Sequence, residues 1–155
     1  MTTADWFGIV AGVHIGAVVA AIGGTAFVLF ILRPVVLGTM PPPDAMRVMA
    51  AIQMRFRWVI WASISVLVVT GLYLASEFHG IRSFGDLWNG SFAKTLTIKS
   101  LLSLVLFGGA LSVTLPLPWL AWFRQRQPVV MRTNLILAAT IVVLASLMIR
   151  SGGVF

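Results

Sequence analysis

WFGIVAGVHIGAVVAAIGGTAFVLFIL, residues 6–32, contains no Asp, Glu, Lys or Arg and a single titratable side chain, His14. A hydrocarbon core of ~30 Å takes about 20 helical residues to cross, and this run exceeds that length. It reads as a membrane-spanning helix. Three further runs read the same way: 58–76, 92–115 and 130–149. The expected fold is therefore all-α and integral to a membrane: one four-helix bundle over residues 1–155, with spans 6–32, 58–76, 92–115 and 130–149.

Composition agrees. The chain has 155 residues, 59% hydrophobic and 10% charged, with a mean hydropathy of +1.01. That excess of apolar surface excludes an ordinary soluble domain. A net charge of +7 is compatible with nucleic-acid binding, but its distribution is not. Arg33, Arg47, Arg55 and Arg57 fall between the first two runs, and Arg124, Arg126 and Arg132 between the last two. This is the positive-inside pattern rather than a basic groove. It puts those two connections in the cytoplasm and both termini outside, and it makes the lipid bilayer, not nucleic acid, the partner. Trp6 and Trp88 at the outer boundary, with Trp58, Trp61, Trp119 and Trp122 at the inner one, fit an aromatic belt. MTTAD carries no basic n-region, and the run after it is too long for a secretory signal, so the first helix is expected to be retained. The setting implied is the cytoplasmic (inner) membrane, crossed several times.

Between the first two spans, Pro41, Pro42 and Pro43 precede Asp44, which is expected to N-cap a helix running into the second span. Met46 and Met49, with Ala50 and Ile52, suit the apolar face of such a helix. Pro116, Pro118 and Pro128 punctuate the third connection.

Two ionisable residues lie deep in apolar runs. His14 is eight residues after Trp6, about 12 Å along a helix, and Lys99 is seven after Phe92, about 10 Å. Ionisable groups in hydrocarbon are expensive and rarely idle. An imidazole and a neutral amine at one depth on two helices suit a bound cofactor in the outer leaflet. Thr95 and Ser103 flank Lys99 at i−4 and i+4. Ala17, Val18 and Ala21 keep the His14 face small, while Gly12, Gly16, Ala20 and Gly24 make a separate small-residue stripe. Plainer readings exist: a lysine near a boundary can snorkel, and a histidine in a helix can simply hydrogen-bond a neighbour. His79, in Glu77–Phe78–His79–Gly80 beyond the second span, is a loop residue that could serve as a second axial or metal-entry ligand. Arg82, Lys94 and Arg150 lie near the same mouth and would suit an anionic group such as a propionate.

Met40, Met46, Met49 and Met54 crowd the first connection and offer soft thioethers for Cu(I), without any cysteine. Lack of cysteine excludes iron–sulfur and thiolate sites. With only Asp5, Asp44, Glu77 and Asp86 as acids, no paired carboxylates, phosphate loop or nucleophile elbow can be built. Any enzymatic activity would come from a cofactor.

His14 followed by Gly23–Gly24 and Leu32–Arg33–Pro34 resembles the first helix of the copper-resistance D (CopD) family of membrane proteins. Arg55–Phe56–Arg57–Trp58 leading to Thr70–Gly71–Leu72 is similar to its second helix. Phe92–Ala93–Lys94 through Lys99–Ser100–Leu101–Leu102 is similar to its third. HemJ-type protoporphyrinogen oxidases look distantly similar, although the chain lacks their Trp-rich first helix and the histidine beside their third-helix lysine. In that group a histidine and a lysine hold a b-type haem, which the resemblance carries onto His14 and Lys99. It implies a haem b protein of electron transfer or haem-linked oxidation, with the haem between the first and third spans. The CopD resemblance alone implies copper transport or resistance. A third expectation is a non-catalytic subunit of a larger membrane complex, or of a membrane redox partnership.

Overall fold

A computed structural model describes residues 3–78, 85, 90–115 and 117–150, with the side chains of 3, 4, 78, 90–92 and 147–150 excepted. Among the described residues every regular element is helical. The order is α1 (Thr3–Phe27), a π-turn (Val28–Leu32), α2 (Arg33–Thr39), α3 (Pro42–Phe78), α4 (Gly90–Thr114), a 3-10 turn (Pro118–Leu120), α5 (Ala121–Gln125) and α6 (Gln127–Arg150). Four stretches are long and apolar enough to cross a membrane: Asp5–Thr39, Pro42–Glu77, Ala93–Thr114 and Gln127–Ser146. Their large apolar side chains are mostly turned outward, with Val19, Val69, Leu72, Leu104, Val105 and Ile136 all exposed. In water such a surface would aggregate; in lipid it is solvated.

The first two helices outrun the spans expected from apolar residues alone. The 35 residues of Asp5–Thr39 and the 36 of Pro42–Glu77 correspond to more than 50 Å each at ~1.5 Å per residue, well beyond a ~30 Å core. Helix continues past Leu32 because the π-turn absorbs Pro34. Proline has no N–H for the carbonyl of Phe30, and its ring crowds that carbonyl. Widening the turn relieves this, and Arg33 N–H donates to Val28 O, five residues back. At the far end Met40 is extended (φ −117°, ψ 149°), the conformation that a following proline imposes. Its N–H closes α2 on Val36 O at 3.2 Å.

α3 then begins at Pro42, three residues before the start that an N-cap at Asp44 would give. Asp44 is inside the first turn rather than at the cap, and its N–H and that of Ala45 donate to Pro41 O at 3.1 and 3.0 Å. A carboxylate there still faces the positive end of the helix dipole.

The chain forms two compact units, Met1–Val69 and Thr70–Phe155. In the first, Val28, Leu29 and Val36 are buried from the leading helix, and Ala45, Met49, Ile60 and Ser63 from α3. Gly24 of α1 lies under the ring of Phe56 of α3. A Cβ at Gly24 would stand 2.6 Å from Phe56 Cε2, so only glycine fits. The methionines divide accordingly: Met49 is 7% exposed, whereas Met46, expected on the same apolar face, is 68% exposed. The register of buried 45, 49, 60 and 63, with partly buried 56, passes it by.

In the second unit α4 packs on α6. Asn134 Nδ2 donates to Leu106 O at 3.2 Å, and a Cβ on Gly109 would stand 2.5 Å from Asn134 Oδ1. Ala93, Ser112 and Ala138 are buried in this unit. Pro118 opens the 3-10 turn after an extended Leu117, and Arg124 Nη1 donates to Leu115 O at 3.0 Å, closing the end of α4.

Candidate functional site

Each of the two singled-out ionisable residues lies on the sheltered face of its own helix. Along α1 the partly buried positions are Phe7, Val10, Ala11, His14, Ala17, Val18, Ala21, Ile22, Gly24, Thr25 and Ala26, a helical stripe that includes His14. Val13 and Ile15, on either side of it, are exposed. His14 is thus more sheltered than Val13 and Ile15. Thr25 Oγ1, further along the stripe, donates to Ala21 O at 2.7 Å and is satisfied within the helix.

On α4 the partly buried positions include Leu96, Lys99, Leu102, Ser103, Leu106, Gly109 and Ala110, while Lys94, Ile98, Leu101, Leu104, Val105 and Gly108 are exposed. Lys99 therefore shares a face with Leu106 and Gly109, the residues that meet Asn134 two turns away. Lys94 is on the other side. Of the two hydroxyls flanking Lys99, that of Ser103 donates to Lys99 O at 2.9 Å, which spends its proton on the backbone and leaves its lone pairs. Thr97 Oγ1 likewise donates to Ala93 O at 2.9 Å. No buried side-chain polar atom among the described residues lacks a hydrogen-bond partner.

The small-residue stripe is distinct from the histidine face. Gly12, Gly16 and Ala20 are exposed, with nothing within 4 Å of a Cβ built at either glycine, and only Gly24 meets a neighbouring helix. Of the remaining expected site residues, His79 and Arg82 lie outside the described residues. Arg150 is the last residue of α6, and its side chain also lies outside them. Among the described residues no three His, Asp or Glu side chains gather as a metal site.

Asn134 was not singled out by the sequence reading. The signal was present: a primary amide in an apolar run, and the Gly108–Gly109 pair on a neighbouring helix. Only the fold shows that the amide falls on Gly109 rather than Gly108.

No protein-family model, no curated protein and no solved structure matches the chain.

Proposed function

We propose that this chain is a multi-pass haem b protein of the cytoplasmic membrane, acting in electron transfer or haem-linked oxidation, with His14 and Lys99 as axial ligands near the outer leaflet. The observation that carries the reading is the placement of both residues on the sheltered faces of otherwise apolar helices. A lysine kept only as an anchor would gain by pointing along the lipid face toward the headgroups, as exposed Lys94 is free to do. The haem would supply the electron chemistry. The protein would contribute ligand identity, a dry apolar surround and exclusion of water from the iron. Ser103 and Thr95, one turn to either side of Lys99, give the amine polar neighbours that do not compete for a metal.

The distant resemblance to HemJ-type proteins supports the same assignment through His14, Gly24 and Lys99, whereas the CopD resemblance alone implies copper handling. The absorption spectrum of the purified protein is the test. A Soret band with one haem per chain is expected. A colourless protein that retains copper would move the function to copper handling, and one that retains neither would move it to a non-catalytic membrane subunit.

A further inference from the structure

The turn joining α4 to α6 combines two kinds of side chain that neither water nor hydrocarbon suits. Trp119 is 78% exposed and Trp122 53%, with Phe123 packed edge-on against Trp122 at 5.0 Å between ring centroids. The Arg126 guanidinium lies over the Trp122 ring, 4.6 Å from its centroid, and Arg124 turns back to Leu115 O. Arg132 is exposed in the second turn of α6. Exposed indoles and arginines are both accommodated at one level only, the headgroup region of a bilayer.

The charge at this level has no counterpart in the sequence that follows or precedes it closely. No Asp or Glu occurs after Asp86, so α4, the turn and α6 hold no acidic side chain. The anion that neutralises Arg124 and Arg126 therefore comes from outside these elements. The contact of the Arg126 guanidinium with the Trp122 ring uses no hydrogen-bond acceptor, and a guanidinium can grip a phosphate through two of its N–H groups. Arg124 uses one of its five N–H donors on Leu115 O.

We propose that the Trp119–Arg126 turn is a headgroup site for an anionic phospholipid, with Arg126 and Arg124 donating to the phosphate and Trp119 and Trp122 lying against the glycerol and upper acyl chain. The site is independent of any cofactor. Of the anions available, a lipid phosphate alone brings apolar surface to the two exposed indoles, whereas free phosphate leaves them unmatched.

The full chain, purified in a neutral detergent, is titrated separately with short-chain phosphatidylglycerol, short-chain phosphatidylcholine and sodium phosphate, following the thermal unfolding midpoint. Phosphatidylglycerol should raise the midpoint by several degrees and saturate, with the other two near baseline. Arg126→Gln should weaken the phosphatidylglycerol response at least about fivefold, the effect of one basic side chain at an anionic surface. Arg47→Gln, on the other basic connection, should leave it within about twofold. Arg124→Gln also removes the closure of α4, so Arg126→Gln is the deciding variant. An equal response to phosphatidylcholine or to phosphate overturns the proposal, as does an Arg126→Gln protein that responds like the parent or an Arg47→Gln protein that loses as much.

Discussion

His14 and Lys99 are chemically unlike their neighbours, and at the scale of single residues they carry the function proposed. If His14 ligates haem iron, His14→Ala removes the stronger protein ligand while leaving only a small cavity in a half-buried stripe. The expected outcome is a folded protein with little haem, read from the Soret absorbance per chain; an unchanged stoichiometry would exclude His14. Lys99→Met exchanges an amine for a thioether and should shift both the haem spectrum and the midpoint potential. Lys94→Met should shift neither, since Lys94 is exposed on the opposite side of α4. The reverse pattern would transfer the role to Lys94, and silence from both would point to His79 or to five-coordinate iron.

At the scale of elements, helix contacts are made through glycines with very different tolerances. Gly24→Ala drives a methyl group into the rigid ring of Phe56, at 2.6 and 3.0 Å from two ring carbons. Overpacking of that kind costs about 1–3 kcal/mol. Gly109→Ala meets the end of the Asn134 side chain, which can swing away; the loss is then bounded by the bond to Leu106 O, about 0.6–1.7 kcal/mol for hydrogen bonds between membrane helices. Gly108→Ala meets nothing within 4 Å and should be neutral. The order Gly24, Gly109, Gly108 is therefore expected in unfolding experiments in detergent, and a Gly108 variant as damaged as Gly24→Ala would contradict the packing. The methionines of α3 give a second comparison. Met49→Ala should cost about 2–5 kcal/mol as a core truncation, whereas Met46→Ala should lie within about 0.5 kcal/mol of the parent.

For the molecule as a whole, the orientation expected from the distribution of arginine has both termini outside and the 33–57 and 116–129 connections in the cytoplasm. Single cysteines at Thr39, Asn89 and Gln127 can be introduced without interference, since the chain has none of its own. An impermeant thiol reagent applied to intact cells should label Asn89→Cys alone. Labelling of Thr39→Cys or Gln127→Cys from outside would invert the topology. The projecting length of the first two helices adds a related expectation, that protease digestion from the cytoplasmic side finds few sites between 33 and 57, because that stretch is helical apart from the turn at Met40 and Pro41.

The number of spanning helices and their apolar cores were legible in the sequence because hydrocarbon acts on each run separately: length and transfer free energy suffice, and no partner need be known. The depth expected for His14 and Lys99 rests on the same one-dimensional arithmetic. Helix ends were less legible. A boundary at Leu32 is reasonable from Arg33–Pro34, yet the widened turn carries the helix to Thr39, since a lost hydrogen bond can be redistributed over a π-turn rather than ending the helix. What tertiary structure alone decided is which of several equivalent small or polar residues makes a contact. Gly24 but not Gly12 or Gly16, Gly109 but not Gly108, Met49 but not Met46 and Asn134 on Leu106 O are all selected by where a second helix happens to approach. Inside a membrane the neighbouring lipid is as apolar as a neighbouring helix, so composition cannot tell the two faces apart; close packing and the occasional hydrogen bond can, and these exist only once the helices have met.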